Sequence, residues 1–295
     1  MSTRILFVHA LSPLHAGTGQ SVGAVDLAIS RDRATDLPTV PGSSIKGSLR
    51  DLDRKHPLTK ALFGPEPRVD DVSEHRGGAL FGDANLLLLP VRSVAGTFAW
   101  ASSPYLLARF ARDMGDLGVA TPAIPSLTSA TPAASDVGRC LLAAATLKVG
   151  SRVIFEDLDL VPDASTTLAS EWATLLGKLI FPDDPVWQGY LTERLCIVHD
   201  DLMSFLARHG TAVVARVALD PETKTVQNLW HEESLPPETV LCGLVHADPP
   251  VAAKTSAAAL LDHLGELVKR TSIQFGGKAT VGRGRVRLVL SEGVA

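Results

Sequence analysis

The sequence predicts an α+β fold with an antiparallel sheet, and patterns at the two ends of the chain predict it. Residues 4–11 (RILFVHAL) form a short apolar run before Pro13, which is typical of a buried strand. Residues 255–269 repeat apolar side chains at helical spacing, and residues 285–290 alternate as a strand does. A strand–loop–helix start and a helix–strand–loop–strand end fit a βαββαβ core of the ferredoxin-like or RNA-recognition type, enlarged by insertions.

The same periodicities place the elements between these ends. An irregular stretch over 12–42 precedes two serines, Ser43 and Ser44, that are suitable N-caps for a helix. Helices are predicted over about 44–55, 104–113, 166–180 and 199–208, and strands within 79–94, over 213–219 and over 273–275.

The chain is predicted to be a single domain, residues 1–295, with loops inserted into its core. Proline, glycine and small polar residues mark insertions at about 57–78 and 117–138. Residues 220–237 have the composition of a further polar, turn-rich loop, and residues 275–287 that of a glycine-rich loop.

The charge of the chain is unevenly distributed. The formal net charge is −4, which taken alone argues against a nucleic-acid binder. Residues 151–240 carry 6 basic and 15 acidic side chains, a net of −9, whereas residues 270–295 carry 5 basic and 1 acidic, a net of +4. An acidic total therefore conceals basic ends that are suited to nucleic acid, and we expect the acidic middle to lie mostly away from nucleic acid or to contact neighbouring subunits.

Cysteine usage and hydropathy indicate a cytoplasmic protein. The chain has an odd number of cysteines, which are far apart in the sequence and form no CxxC pair: Cys140, Cys196 and Cys242. Neither a disulfide framework nor a zinc motif is therefore expected. The first residues do not have the pattern of a signal peptide. No apolar stretch approaches the roughly 20 residues that a membrane span needs, and no membrane partner is expected.

Residues 275–287 (FGGKATVGRGRVR) are the first candidate site. Glycines let backbone N–H groups approach a phosphate closely, and the interleaved cations add positive charge. The run has neither the dinucleotide-binding nor the P-loop pattern. The functional interpretation is therefore that these residues bind the backbone of a nucleic acid. A tight hairpin with a solvated basic edge remains the structural alternative.

Residues 41–50 (PGSSIKGSLR) are the second candidate site. Hydroxyls and N–H groups at a helix N-terminus suit an anion. Lys46 falls in the first turn, where the helix dipole disfavours a cation unless an anion lies nearby. The alternative is a capped helix with an exposed lysine.

The glycine-containing stretch over 13–33 is the third candidate site, and it contains His15 and Asp26. Asp26 interrupts an apolar run between Val25 and Leu27, where a carboxylate needs a partner or a chemical role. The pair would serve acid–base chemistry on a ribose hydroxyl, or Asp26 would help to hold a divalent metal together with substrate phosphates and waters. A loop aspartate that caps local amides is the alternative.

The other histidines and paired carboxylates carry weaker signals. No histidine pair has metal-ligand spacing such as HxxxH, and solvated faces are expected for the acidic pairs. Glu232 and Glu233 are distinguished from the other acidic pairs because they follow Trp230 and His231 directly.

The three candidate sites together resemble a known family. The block over 11–50 is similar to the N-terminal block of RAMP-superfamily CRISPR proteins, and residues 275–288 are similar to their C-terminal glycine-rich loop. Residues 80–100, 154–160 and 223–245 extend the likeness to the repeating backbone subunit of the type III-B CRISPR effector, the Cmr complex.

This resemblance implies an RNA-guided endoribonuclease. Copies of such a subunit stack into a filament along a CRISPR guide RNA, each with an RNA-recognition-like palm and a thumb, alongside other effector subunits. The guide pairs with a complementary target RNA, which each subunit cuts at regular intervals with a divalent metal, Mg²⁺ or Mn²⁺, in antiviral defence. Base pairing supplies sequence specificity while the protein holds backbone and shape.

The resemblance also implies roles for individual residues. Asp26 takes the place of the catalytic, metal-assisting aspartate, and His15 that of a loop histidine that positions phosphate or assists proton transfer. A thumb is placed at about 220–237. RNA contacts are implied for Ser43, Ser44, Lys46, Arg50, Gly277, Lys278 and Arg283.

The chain departs from the family pattern at one place. Relatives tend to carry a tyrosine before the paired glutamates, where this chain has His231, so the acid–base repertoire there differs and the roles of His231 and Glu232 stay open. The alternatives are a non-catalytic RNA-binding scaffold of a CRISPR effector, the type III-A equivalent, and a guide-processing ribonuclease, against which the presence of Asp26 argues.

Overall fold

The computed structural model describes residues 2–19, 25–65, 76–127, 134–163, 167–250, 253–269 and 272–291. Its helices are α1 (Gly42–Asp53), α2 (Thr59–Phe63), α3 (Pro104–Asp116), α4 (Leu168–Ile180), α5 (Pro185–Arg194), α6 (Asp200–His209) and α7 (Ala257–Val268). Its strands are β1 (Ser2–Ala10), β2 (Thr39–Val40), β3 (Ala79–Phe81), β4 (Ala84–Arg92), β5 (Phe98–Ser102), β6 (Arg139–Leu142), β7 (Lys148–Val149), β8 (Arg152–Phe155), β9 (Leu158–Asp163), β10 (Leu195–Val198), β11 (Ala212–Leu219), β12 (Val226–Ser234), β13 (Val240–Ala247), β14 (Ile273–Gln274) and β15 (Arg285–Leu290).

The predicted βαββαβ core is confirmed. Its elements follow in the order β1, α1, β4, β13, α7 and β15, and the four strands lie side by side as β15–β1–β13–β4. Every pair in this set is antiparallel, and β1 is in the centre between β13 and β15. This order is that of a ferredoxin-like sheet, and it brings the first and last strands of the chain together.

Helices cover both faces of this sheet. Leu6 and Val8 of β1 pack in one apolar cluster with residues of α1 and α7. Ile5 and Phe7 point the other way into a second cluster with residues of α3 and α4. The alternation of side chains along β1 therefore supplies two cores, which explains why the run is apolar throughout rather than at every second position.

The largest insertion lies between β4 and β13, over residues 93–239. Its strands continue the sheet beyond β4 in the order β5–β10–β6–β9–β8–β7. The pairs β5–β10 and β6–β9 are parallel, so the prediction of an antiparallel sheet holds for the core and is wrong for these two pairs.

The prediction of a loop over 220–237 is wrong for residues 226–234, which form β12. This strand pairs with β11 as a separate two-stranded antiparallel hairpin. Apolar side chains of the hairpin are exposed, and they are Val213, Val214, Val217, Leu219, Val226 and Leu229. The last three residues of β12 are buried, so the hairpin is anchored at that end.

Other predicted boundaries shift by a few residues. The insertion at 57–78 contains the short helix α2, and part of it, like part of 117–138, lies outside the described residues. Helix α1 begins at Gly42 with Pro41 at its N-cap, so Ser43 and Ser44 lie inside the first turn rather than capping it. Among the described helices, none has both the length and the apolar character that a bilayer crossing requires.

Candidate active site

The loop that carries Asp26 is held against β12 by backbone hydrogen bonds. Leu27 N–H donates to the His231 carbonyl over 3.1 Å, and Glu233 N–H donates to the Leu27 carbonyl over 3.0 Å. Residues around Leu27 therefore lie parallel to β12 as a short additional strand. This pairing sets Asp26 beside His231, although 205 positions separate them in the sequence.

Asp26 is an exposed, ionised carboxylate. Its side chain is 55% exposed, and Oδ2 accepts a hydrogen bond of 2.7 Å from the His231 backbone N–H. The His231 ring lies beside the same carboxylate, with its Nδ1 atom 3.5 Å from Oδ2. The backbone hydrogen bond first, and then the imidazole, lower the pKa of Asp26 below its ordinary value. The group is thus suited to hold a cation or orient an imidazole rather than to carry a proton.

Glu232 lies beneath this surface in a cationic setting. It is 3% exposed. Its Oε1 accepts from Lys278 Nζ and Trp230 Nε1, each over 2.8 Å, and Arg216 Nε lies 3.4 Å from Oε2. Burial favours the neutral acid, but the hydrogen bonds from Lys278 and Trp230 and the charges of Lys278 and Arg216 outweigh it and lower the pKa of Glu232 to about 2.

This lowered pKa predicts a defined loss of stability in acid. Because folding lowers the pKa of Glu232 from 4.5 to about 2, the ionised group stabilises the fold fully above about pH 5. That contribution, about 3 kcal/mol, is lost as the pH falls from about 4.5 toward about 2. Urea unfolding at several pH values measures it, and Glu232→Gln is expected to show a shallower decline over this interval. Parallel declines for the two proteins would contradict the assignment.

Glu233 points the other way and fastens the Asp26 loop from inside. One oxygen accepts from Arg31 over 2.6 Å and from the Thr211 hydroxyl over 2.9 Å. The other accepts from the Ile29 backbone N–H over 3.1 Å. The expectation of a solvated acidic pair is therefore wrong for both Glu232 and Glu233, since their partners come from distant parts of the chain.

His15 is a buried connector between three segments. It is 8% exposed, and Nδ1 lies 2.7 Å from the Glu233 carbonyl oxygen. A carbonyl only accepts, so Nδ1 carries a proton and donates it to this bond. Gly17 packs directly against the other ring nitrogen, because a Cβ at position 17 would lie 2.5 Å from Nε2. The His15 backbone carbonyl accepts from Gly277 N–H over 3.1 Å.

The glycine-rich loop is shaped to approach His15. Gly276 has φ of +69°, and a Cβ there would lie 2.2 Å from the His15 carbonyl oxygen, so only glycine fits. Lys278 follows with φ of 68° and points its ammonium at Glu232 and toward the Trp230 ring. Arg283, in contrast, is 8% exposed and donates to the Ser234 hydroxyl over 2.7 Å. Of these two cations, Lys278 therefore lies at the surface and Arg283 in the interior.

Helix α1 carries the remaining predicted residues as a separate group. Ser43 and Ser44 are exposed in its first turn, and Gly42 N–H donates to the Asp83 carboxylate over 2.8 Å. Lys46 and Arg50 lie one turn apart on the same side. Partial burial, and then the charge of Arg50, lower the pKa of Lys46. Arg50 lies in the last turn of α1 and no acidic residue lies in the first, so Lys46 and Arg50 make one side of the helix electropositive.

The structure brings together the two chain ends and the hairpin as one site. Asp26, His15, Gly277 and Lys278 meet around the end of β12, while the α1 group lies on another element. Sequence reasoning left the roles of His231 and Glu232 open, and it set Glu232 and Glu233 apart from the other acidic pairs without naming their partners. The available signal was the unbroken run of an aromatic ring, an imidazole and two carboxylates over 230–233.

Three residues elsewhere form the one histidine–carboxylate group in the described part of the chain with the spacing of a metal site. Ligand atoms of Asp53, His56 and His263 all lie within 4.8 Å of one another. Asp26 stands outside that group.

Comparison with known proteins identifies the family. The model of the RAMP superfamily matches residues 7–287, and the chain belongs to that superfamily. It is 30% identical over 306 residues to the CRISPR system Cmr endoribonuclease Cmr4 of Pyrococcus furiosus, covering 99% of this chain and 97% of that protein. It is 24% identical over 303 residues to the CMR subunit Cmr4 of Saccharolobus solfataricus, covering 96% and 94%. Within the superfamily, its place is the family of Cmr4, the backbone subunit of the type III-B effector.

Solved structures share the fold along the whole chain. Oligomeric Cmr4 from Pyrococcus furiosus superposes with a TM-score of 0.76 at 24% identity, covering 100% of both chains. A chain of the type III-B Cmr-beta complex bound to cognate target RNA superposes with a TM-score of 0.70 at 18% identity, covering 98% and 97%. The α+β architecture derived from the sequence is therefore that of the solved Cmr4 chains.

Proposed function

We propose that this chain is the repeating backbone subunit of a cytoplasmic CRISPR ribonucleoprotein, which binds guide RNA and cuts complementary target RNA at regular intervals in antiviral defence. The related Pyrococcus furiosus protein is named an endoribonuclease. The observation that carries the proposal is the exposed Asp26 carboxylate beside the His231 imidazole, on a loop that backbone hydrogen bonds hold against β12. The assembled complex with matched target RNA and Mg²⁺ or Mn²⁺ tests it. Binding without cutting would favour the scaffold alternative.

RNA simplifies the chemistry that such a site must perform. The ribose 2′-oxygen is already adjacent to the scissile phosphate, so the protein has only to align it with the leaving 5′-oxygen and manage protons and charge. With Nδ1 toward Asp26, the His231 ring would present Nε2 outward as a proton acceptor. Its side chain is 44% exposed, so a target strand would reach it without rearrangement of the core.

The surroundings of Asp26 fit a divalent metal that is held largely by substrate. Glu232 and Glu233 are committed to Lys278 and Arg31, so Asp26 is the carboxylate left at the surface. Mg²⁺ and Mn²⁺ are commonly bound through one or two carboxylates together with phosphate oxygens and waters. When bound, such an ion supplies charge stabilisation to the phosphoryl oxygens. Asp26 holds the ion, and the backbone of β12 holds Asp26.

His15 and the glycine-rich loop support this site rather than react in it. The buried His15 keeps the Asp26 loop, β12 and Gly277 in one arrangement. Lys278 would meet an RNA phosphate from its place above Glu232, while Arg283 fixes the loop through Ser234. We thus assign His15 and Arg283 a positioning role and Lys278 an RNA contact.

The α1 group forms the guide-backbone contact in this proposal. Ser43 and Ser44 expose hydroxyls at the positive end of the helix, and Lys46 and Arg50 add two charges. A phosphate nearby would compensate the partial burial and the charge of Arg50 that lower the pKa of Lys46. This contact would involve the phosphate backbone and not the bases. It would therefore not depend on the guide sequence, and the guide would be held in the same way along its length.

Lys46→Ala is expected to weaken guide binding equally for unrelated guide sequences. Removing one phosphate contact lowers the slope of log K against log salt by about 0.7 for a single strand. Fluorescence anisotropy at several salt concentrations measures both effects. Lys55→Ala, an exposed lysine beyond the end of α1, is the matched control and is expected to leave the slope unchanged. An unaltered slope for Lys46→Ala would remove the residue from the RNA interface.

The hairpin of β11 and β12 would serve as the thumb. Exposed valines and leucines along it leave an apolar surface that is unusual in an isolated chain. Its anchored end lies at Glu232 and Glu233, so the thumb and the cleavage site would move as one unit. Contacts of this hairpin with RNA or with the next copy in a filament would bury the apolar side chains.

A further inference from the structure

Asp53, His56 and His263 lie together at the end of α1 opposite its RNA-facing start. Asp53 is the last residue of α1, His56 follows in the loop before α2, and His263 lies on α7. Over the 12 residues of α1, the helix axis separates this group from Gly42 by about 16 Å. The group shares no residue with the Asp26 site and does not depend on the function proposed for it.

Asp53 is a buried carboxylate in an unfavourable place. It is 3% exposed and lies at the C-terminal end of a helix, where the dipole disfavours a negative charge. Both of its oxygens lie 3.0 Å from His263 Nε2. The Thr59 hydroxyl lies 3.0 Å from Oδ2, and its single proton is also within reach of the backbone carbonyls of Asp53 and His56. A cation at this position would compensate the buried charge.

The separations are close to those between two ligands of one metal ion. Zinc bonds to histidine nitrogen and carboxylate oxygen of about 2.0–2.2 Å place the two ligand atoms about 3.3–3.6 Å apart at a tetrahedral angle. The observed 3.0 Å between His263 Nε2 and the Asp53 oxygens is a few tenths of an ångström shorter, as in a hydrogen bond. An entering metal would therefore replace this hydrogen bond once the two side chains move apart by that amount.

His56 supplies the third ligand from the exposed side. Its ring stacks on the His263 ring with centroids 3.8 Å apart and planes inclined by 14°. A rotation of this exposed side chain would turn a ring nitrogen toward the same ion, since the ligand atoms already lie within 4.8 Å of one another. The fourth position would remain for water, as in zinc sites with three protein ligands.

We propose that Asp53, His56 and His263 form a binding site for a zinc-like transition-metal ion that fastens the α1–α2 connection to α7. Two imidazoles and one carboxylate suit Zn²⁺ or Ni²⁺, whereas Mg²⁺ prefers oxygen ligands alone. The Thr59 hydroxyl beside Asp53 Oδ2 is the kind of outer contact that such ligands use. The ion would hold together two elements that are distant in sequence.

Isothermal titration of the untagged, metal-free chain with Zn²⁺ tests the proposal, with Mg²⁺ as the comparison. We expect one Zn²⁺ per chain, a rise in Tm on binding, and no competition from Mg²⁺. His56→Ala leaves the buried Asp53–His263 pair intact and is expected to weaken Zn²⁺ binding at least tenfold and to abolish the rise in Tm. His209→Ala, at an exposed histidine on α6, is the control and should bind Zn²⁺ as the parent does.

Two results would overturn the proposal. One is the absence of stoichiometric Zn²⁺ binding to the parent chain. The other is equal affinity in the parent, His56→Ala and His263→Gln, which would place any bound ion elsewhere.

Discussion

Asp26→Asn is expected to reduce target-RNA cleavage by the assembled complex at least about 100-fold. The amide keeps the size of the side chain and can still accept from the His231 N–H, but it carries no charge to hold a divalent metal or orient the imidazole. Assembly on guide RNA and binding of the target should be unchanged, because the Asp26 side chain is exposed and the backbone bonds of Leu27 hold the loop. Single-turnover cleavage and target-binding assays on the same preparation measure the two effects.

Asp51→Asn is the control for this substitution. Asp51 is an exposed carboxylate on α1 that forms an ion pair with Arg54, three residues later. It should cleave at the parent rate. Parent-rate cleavage by Asp26→Asn would exclude Asp26 from the chemistry, and a loss of target binding would make its role structural.

Glu233→Ala is expected to lower the free energy of unfolding by about 3 kcal/mol. The substitution removes the acceptor of Arg31, Thr211 and the Ile29 N–H at once and leaves the half-buried guanidinium without its carboxylate. Because these contacts fasten the Asp26 loop, cleavage should fall as well. Chemical denaturation of the purified chain measures the stability.

Glu222→Ala serves as the matched substitution on the hairpin. Glu222 lies exposed in the turn between β11 and β12 and should change stability by less than about 0.5 kcal/mol. If Glu233→Ala were equally neutral, the Asp26 loop would be held by its backbone bonds without the carboxylate network.

The core of the fold can be predicted from the sequence because each of its main elements is indicated by a residue pattern within one short segment. Apolar spacing identifies α7, and the continuous apolar run of β1 indicates a strand that is covered on both faces, as the two clusters around it show. The ferredoxin-like order follows from these end elements. The inserted strands over 93–239 are short, and their parallel pairs depend on contacts between segments that no local pattern encodes.

The hairpin strand β12 escapes sequence reasoning for a physical reason. Its polar run lacks the alternation of a half-buried strand, and its buried carboxylates are stabilised by cations more than 40 residues away, Lys278 for Glu232 and Arg31 for Glu233. The cap of α1 is similar, since Asp83 rather than a local serine accepts from Gly42 N–H. Asp26 could be selected as a candidate from the sequence, but its partner His231 could not.

Mapping the products of target cleavage tests the central claim most directly. A reconstituted complex of this chain with guide RNA and a matched, end-labelled target should yield regularly spaced fragments when Mg²⁺ or Mn²⁺ is added. In complexes built with Asp26→Asn, the whole ladder should disappear while the target stays bound. An identical ladder from the Asp26→Asn complex, or an intact target bound to the parent complex in the presence of metal, would contradict the account.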